Sequence, residues 1–507
     1  MKTIPFLILT AILTAFLSPL VSSAAAEIPE RPEKISFPAL KYEPPRAADY
    51  RVQLKSGPVA YVVPDRELPL VNISVHVRTG QYLEPAGKEG LAALTGWLLA
   101  HGGAGTNTAE QLEERLAFLA ADLNTGIGDT EGVVSLNLLS KDLDEGLGIL
   151  RDVLFAPRFQ EDKIKLRKEQ LLQDMKQRND NSATIEAIER SRLAYGENFW
   201  ANRLSTAASL EGITRRDIEV FHYQWFWSSN FVIAVSGDFE RGEMIAKLEK
   251  VFNGRPNIAM REYIPAGKLA DIPTNTAFAA PGVYVVDKPD VNQGRVSLVL
   301  PGLRRDDPDY HAVSMMNEIL GGGGFTSRIV NRVRSDEGLA YSAGSKFPGG
   351  VYFPASFTAA FQTKSRTVPY ATSIVLDEMK KIAAQPVTAA ELQAAQSATI
   401  ERFPRAFATK KQVAAALAAE EFSGRYKTDP QYFQNYRKSI AAVTVADVQR
   451  VAQKYLTPDK LVILIVGKKE EILLGHPNHA VKLDDLGKVL DLPLRDPLTL
   501  KPVTVGK

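Results

Sequence analysis

Ile213-Thr214-Arg215-Arg216-Asp217-Ile218 and Val443-Thr444-Val445-Ala446-Asp447-Val448 stand 230 residues apart and share one pattern. The match continues without a gap. Trp225 falls opposite Tyr455, Phe231-Val232-Ile233-Ala234-Val235 opposite Leu461-Val462-Ile463-Leu464-Ile465, and Gly237 opposite Gly467. A threonine helix cap, a helix, a buried strand and a terminal glycine therefore occur twice, the mark of an internal repeat. Working outward, residues 51–262 and 283–484 form two related halves. Residues 263–282, rich in Pro, Ala and Thr, read as the linker between them. Residues 485–507 read as a tail that packs irregularly.

Within the first half, Ile73, Val75 and Val77 alternate with polar residues as a strand. Residues 88–101 read as a helix stopped by Gly102 and Gly103. Thr108 with Gln111 forms a capping box. Residues 133–139 read as a strand, and 141–155 and 160–178 as helices. The class is α+β.

The chain begins with Lys2, an uncharged apolar run from Ile4 to Val21, and the small residues Ser22 to Ala26. Residues 1–26 have the layout of a secretory signal peptide, with Ala24-Ala25-Ala26 as an A-x-A cleavage site. The periplasm is the expected location, with no stable membrane anchor. Residues 27–50, with prolines at 29, 32, 38, 44 and 45, read as an extended arm. A formal net charge of +2 gives no general bias towards nucleic acid. Cysteine is absent, which excludes disulfides, thiolate ligands and a cysteine nucleophile.

Four words then carry a family resemblance. They are Gly90-Leu91-Ala92, Val286-Asp287-Lys288-Pro289-Asp290-Val291-Asn292-Gln293, Gly321-Gly322-Gly323-Gly324-Phe325-Thr326-Ser327-Arg328 and Gly338-Leu339-Ala340-Tyr341-Ser342. In order and spacing they resemble the insulinase and mitochondrial processing peptidase family of zinc peptidases, over about residues 50–470. The resemblance implies two homologous halves, each a mixed or antiparallel sheet packed with helices, joined by the linker as a clam-shell.

In active members Gly-Leu-Ala leads into the inverted zinc motif H-x-x-E-H. Two histidines four apart share one helix face and hold the metal, and the glutamate acts as general base. The matching positions here are Ala93, Gly96 and Trp97. None can ligate zinc or accept a proton. Trp97 is expected to fill the volume of metal and water. The third-ligand spacing lands on Asp174, a remnant ligand or simply a solvated helix residue. No other histidine accompanies His101 on its helix face. His476 and His479 read as a loop pair, and His76, His222 and His311 as structural. No metal site is expected in this chain.

The resemblance implies that Arg334 and Tyr341 survive as the pair that faces the zinc site across the cavity. Tyr341 would donate to the oxyanion of the tetrahedral intermediate, while Arg334 would hold a substrate carbonyl or support the tyrosine. Gly321, Gly322, Gly323 and Gly324 either touch a peptide or terminate the helix before them. Asn124 and Thr125 lie where the family adds a peptide strand to a sheet edge. These features imply the zinc-less subunit of a heterodimeric peptidase. Its partner would be a homologous chain with an intact H-x-x-E-H holding the zinc, and its substrate an unfolded peptide. A non-proteolytic structural or peptide-binding assembly protein of the same fold is the alternative.

Overall fold

The computed structural model describes residues 41–253 and 271–503. The segment read as a signal peptide lies outside them, as do 27–40 of the arm and 263–270 of the linker. The first sheet contains β1 (Arg51–Gln53), β2 (Val59–Pro64), β3 (Leu70–Val77), β4 (Asp122–Ile127), β5 (Gly132–Leu139) and β6 (Phe231–Gly237). The second contains β7 (Gly282–Asp287), β8 (Gln293–Arg304), β9 (Ala343–Lys346), β10 (Gly349–Gly350), β11 (Ala355–Lys364), β12 (Val462–Gly467) and β13 (Val489–Leu492).

Their orders, β1-β2-β6-β3-β5-β4 and β13-β7-β12-β8-β11-β9, correspond from β2 and β7 onward; the end strands differ, β1 running antiparallel to β2 and β13 parallel to β7. In each, a parallel pair (β2–β6, β7–β12) continues into antiparallel strands. The repeat seen in the sequence is thus a repeat of topology. Both of its helices, Arg215–Trp225 and Val445–Tyr455, open on reciprocal caps. The Thr214 hydroxyl accepts from the Asp217 amide at 3.2 Å and the Asp217 carboxylate from the Thr214 amide at 2.7 Å; the Thr444–Asp447 distances are 3.1 and 3.0 Å.

β6 and β12 read as unbroken apolar runs because both faces of each are covered, and every residue in them is buried. One face meets helices of its own half. The other meets a helix lent by the opposite half. Helix Ser182–Tyr195 of the first half lies on β8 and β12, placing Ile185, Leu193 and Ala194 against Val462, Leu464 and Val466. Helix Lys410–Phe422 of the second half lies on β2 and β6. Each fully buried Val, Leu or Ile is worth about 1.5–3 kcal/mol, so these exchanged helices fasten the halves firmly.

Ion pairs reinforce the exchange. Glu421, buried on the second-half helix, accepts from Arg51 Nε at 2.9 Å and from the Tyr61 hydroxyl at 3.0 Å, both in the first half. Burial opposes ionisation of Glu421, yet the Arg51 and Tyr61 bonds prevail and hold its pKa below the ordinary value. Glu421→Ala should cost about 3 kcal/mol, the low end for a broken buried pair because Arg51 keeps some water. A depressed carboxyl stabilises above its unfolded pKa and stops doing so as pH falls through the folded value. Wild type and Glu421→Gln should therefore differ in melting temperature near neutrality and converge in acid.

Two expectations are corrected. Residues 47–50 form a helical turn instead of extended chain. The tail is ordered over its described residues, 485–503: β13 adds to the second sheet parallel to β7, and the segment beyond it crosses to the first half. There Arg495 pairs with Glu189 at 3.0 Å and Glu197 at 2.9 Å, and Arg178 donates to the Pro497 carbonyl at 2.9 Å. The described residues from Glu43 onward form one compact unit. No helix among the described residues is long and apolar enough to cross a membrane.

Candidate functional site

The Gly-Leu-Ala word opens helix Leu91–His101, three residues later than the sequence suggests. Gly90 sits in the left-handed region at φ 103°, and Glu84 fixes the start of the helix, accepting from the Gly90 and Ala92 amides at 3.1 and 2.8 Å. Burial pushes the Glu84 carboxyl up to about 7 against these two bonds. Nothing in the sequence marks Glu84, because its role depends on an N-terminus brought to it by folding.

The three motif positions do different things. Ala93 is exposed. Trp97 is half-buried on the first-half core, and its ring stacks on His101 at 4.3 Å and 5°, with the Arg167 guanidinium 5.3 Å from its centroid. Gly96 is buried where the helix meets edge strand β4. A Cβ there would lie 2.8 Å from the Gly126 carbonyl carbon and closer still to the Ile127 amide nitrogen. Thr125 locks this approach by donating from its hydroxyl to the Gly96 carbonyl at 2.6 Å. Asn124, next to it, is exposed on the same strand. Asp174 is exposed near the end of helix Glu161–Lys176.

These residues do not fit a zinc ion. They offer a methyl group, a packed backbone and an indole, where the ion needs imidazole or carboxylate donors. Among the described residues no group of three or more His, Asp or Glu is placed to hold a metal. The histidines have other partners. His222 is buried with Nε2 3.0 Å from the Leu154 carbonyl, and burial lowers its pKa to about 4. His76 lies 2.5 Å from Glu131. His311 stacks on Tyr432, and His479 on Tyr370 at 3.6 Å.

Arg334 and Tyr341 are brought together. The guanidinium carbon lies 4.7 Å from the centroid of the Tyr341 ring, and Tyr341 is 84% exposed. Tyr341 belongs to the loop before β9 and not to a strand. The four glycines both end a helix and shape a surface. Gly323 donates to the Glu318 carbonyl at 2.8 Å, closing a wide final turn. Gly321 lets that turn press on β9, where a Cβ would meet the Ser345 amide at 2.5 Å. Gly96 against β4 and Gly321 against β9 are the same device in the two halves. Gly321 and Gly322 also line a cleft of about 770 Å³ with Glu186, Ser345 and Lys346.

Residues 62–206 match the family described as Insulinase (Peptidase family M16), and residues 212–399 match the Peptidase M16 inactive domain. The chain belongs to peptidase family M16. Its relatives include an uncharacterized zinc protease from Rickettsia bellii, 22% identical over 76% of this chain and 90% of that one. The non-peptidase homolog YmxG from Helicobacter pylori is 23% identical over 80% and 90%. Among solved structures, the peptidase M16 inactive domain from Pseudomonas fluorescens has a TM-score of 0.71 and 25% identity, covering 82% of this chain and 97% of that one. A Helicobacter pylori protease has a TM-score of 0.72 at 18% identity, covering 84% and 100%, a likeness of fold. This M16 chain therefore carries the family fold without ligands at its zinc-motif positions.

Proposed function

We propose that the chain is the zinc-less subunit of a heterodimeric M16 peptidase, exported to the periplasm and acting on unfolded peptides. One observation carries this reading. Arg334 and Tyr341 remain paired, with Tyr341 presented to solvent and Arg334 half-buried beside it, while Ala93, Gly96 and Trp97 leave them no zinc to work with in the same chain. A hydroxyl donor and a guanidinium serve a carbonyl that gains negative charge in the transition state. The zinc and general base would come from a homologous chain with an intact H-x-x-E-H. Exposed Asn124 on β4 marks an edge to which an extended peptide would add.

The test is co-expression with a motif-bearing homologue, followed by purification through one tag and a peptide-hydrolysis assay. The two chains should co-purify and hydrolyse peptide together, while this chain alone does not. The second reading, a non-proteolytic peptide-binding or assembly protein, is favoured by the relative described as a non-peptidase homolog. A stable homodimer that ignores every motif-bearing homologue would support it.

A further inference from the structure

The Arg/Tyr pair has a third member. Phe325, directly after the glycine run, is 65% exposed, and the Arg334 guanidinium carbon lies 4.5 Å from its ring centroid. One cation is thus covered by two solvent-exposed aromatic rings. Each of the three side chains stands close to a buried anchor. Ser327, fully buried, donates from its hydroxyl to the Gly324 carbonyl at 2.6 Å and fixes the turn that carries Phe325. Gly324, at φ 63°, supplies the left-handed corner of that turn. Val333 and Ala340, both buried, hold the backbone beside Arg334 and Tyr341.

The carboxylates nearby do not compete for Arg334. Asp336 and Glu337 lie 3.2 and 3.7 Å from Arg332. Among the described residues no carboxylate pairs with Arg334. A guanidinium stacks on rings through its flat face and hydrogen-bonds through its edge. Rings over the face and no acid on the edge leave the N–H groups available to a planar oxygen acceptor such as a peptide carbonyl.

The geometry points to Phe325 as a positioning residue that holds the Arg334 guanidinium edge-on to substrate. This rests on the reading of Arg334 and Tyr341 as substrate-facing. Phe325 supplies a ring and no hydrogen bond, so its action passes through Arg334. An exposed cation–π contact corresponds to about 2–5-fold in rate or affinity.

Two measurements decide it. In the isolated chain, the side-chain Nε–H NMR signal of Arg334, assigned with Arg334→Lys, should be shifted by the ring currents. It should move part-way towards the free-arginine position in Phe325→Leu, where the Tyr341 ring still acts on it, and stay fully shifted in Phe325→Tyr. In the active heterodimer, Phe325→Leu should lower kcat/KM about 2–5-fold, Phe325→Tyr should restore it, and Phe325→Leu should add nothing in an Arg334→Ala background. An Arg334 signal indifferent to Phe325→Leu, or an undiminished effect of Phe325→Leu without Arg334, overturns the assignment. A chain that yields no active heterodimer defeats the functional reading instead, and the NMR result still stands on its own.

Discussion

In the proposed heterodimer, Tyr341→Phe should lower kcat for peptide hydrolysis by about 10²–10³-fold, the cost of removing one oxyanion donor. The change deletes one hydroxyl and leaves the ring that Arg334 covers, so the loop keeps its shape. KM changes little, because the bond to the oxyanion forms only in the transition state. Arg334→Ala acts on both constants, since a guanidinium that holds a ground-state carbonyl contributes to binding as well. Neither substitution disturbs folding: Tyr341 is 84% exposed, and no ion pair of Arg334 is lost among the described residues. Steady-state kinetics on the pair, with melting curves as control, makes the check. Unchanged activity in both variants would sink the shared-site proposal.

Gly96→Ala destabilises the chain by about 2–3 kcal/mol, and Gly96→Glu by more. The new Cβ would overlap the backbone of β4 at Gly126 and Ile127, and neither neighbour is a side chain that can swing aside. Overpacking of this kind costs about 1–3 kcal/mol, and a glutamate adds the cost of burying a carboxylate with no partner. Thr125, bonded to the Gly96 carbonyl, resists the separation of helix and strand that would relieve the overlap. Writing the full motif back as Ala93→His, Gly96→Glu and Trp97→His therefore yields a less stable chain and not a peptidase. Thermal melts of the Gly96→Ala variant test this, and a melting temperature equal to wild type would contradict it.

Gly96 has one meaning in the sequence and another in the fold. As a letter it is an absent general base. As a position it is a contact between helix and edge strand, repeated at Gly321 against β9. The repeat itself was legible, because caps, apolar runs and terminal glycines are local patterns with a fixed spacing. The exchanged helices were not. Ser182–Tyr195 and Lys410–Phe422 contain Glu186, Glu189, Glu420 and Glu421, all buried although glutamate is ordinarily a surface residue. Three of them have partners far along the chain, Ser297 for Glu186, Arg495 for Glu189 and Arg51 for Glu421, while Arg190, Arg192 and Arg425 pair locally with Glu186, Glu189 and Glu420. The tail reads as irregular because β13 is four residues long and shows no alternation to announce a strand. The Arg/Tyr pair was found through the words around it. Phe325 stood inside one of those words, but only the folded loop lays its ring against Arg334.

In a divided peptidase the zinc resides in the partner, so metal content is the most direct measurement. The chain purified alone should contain no stoichiometric zinc by elemental analysis. The complex with a motif-bearing homologue should contain one zinc per pair, lost when the partner's H-x-x-E-H is mutated and unaffected by Arg334→Ala. Stoichiometric zinc in the isolated chain would contradict the account.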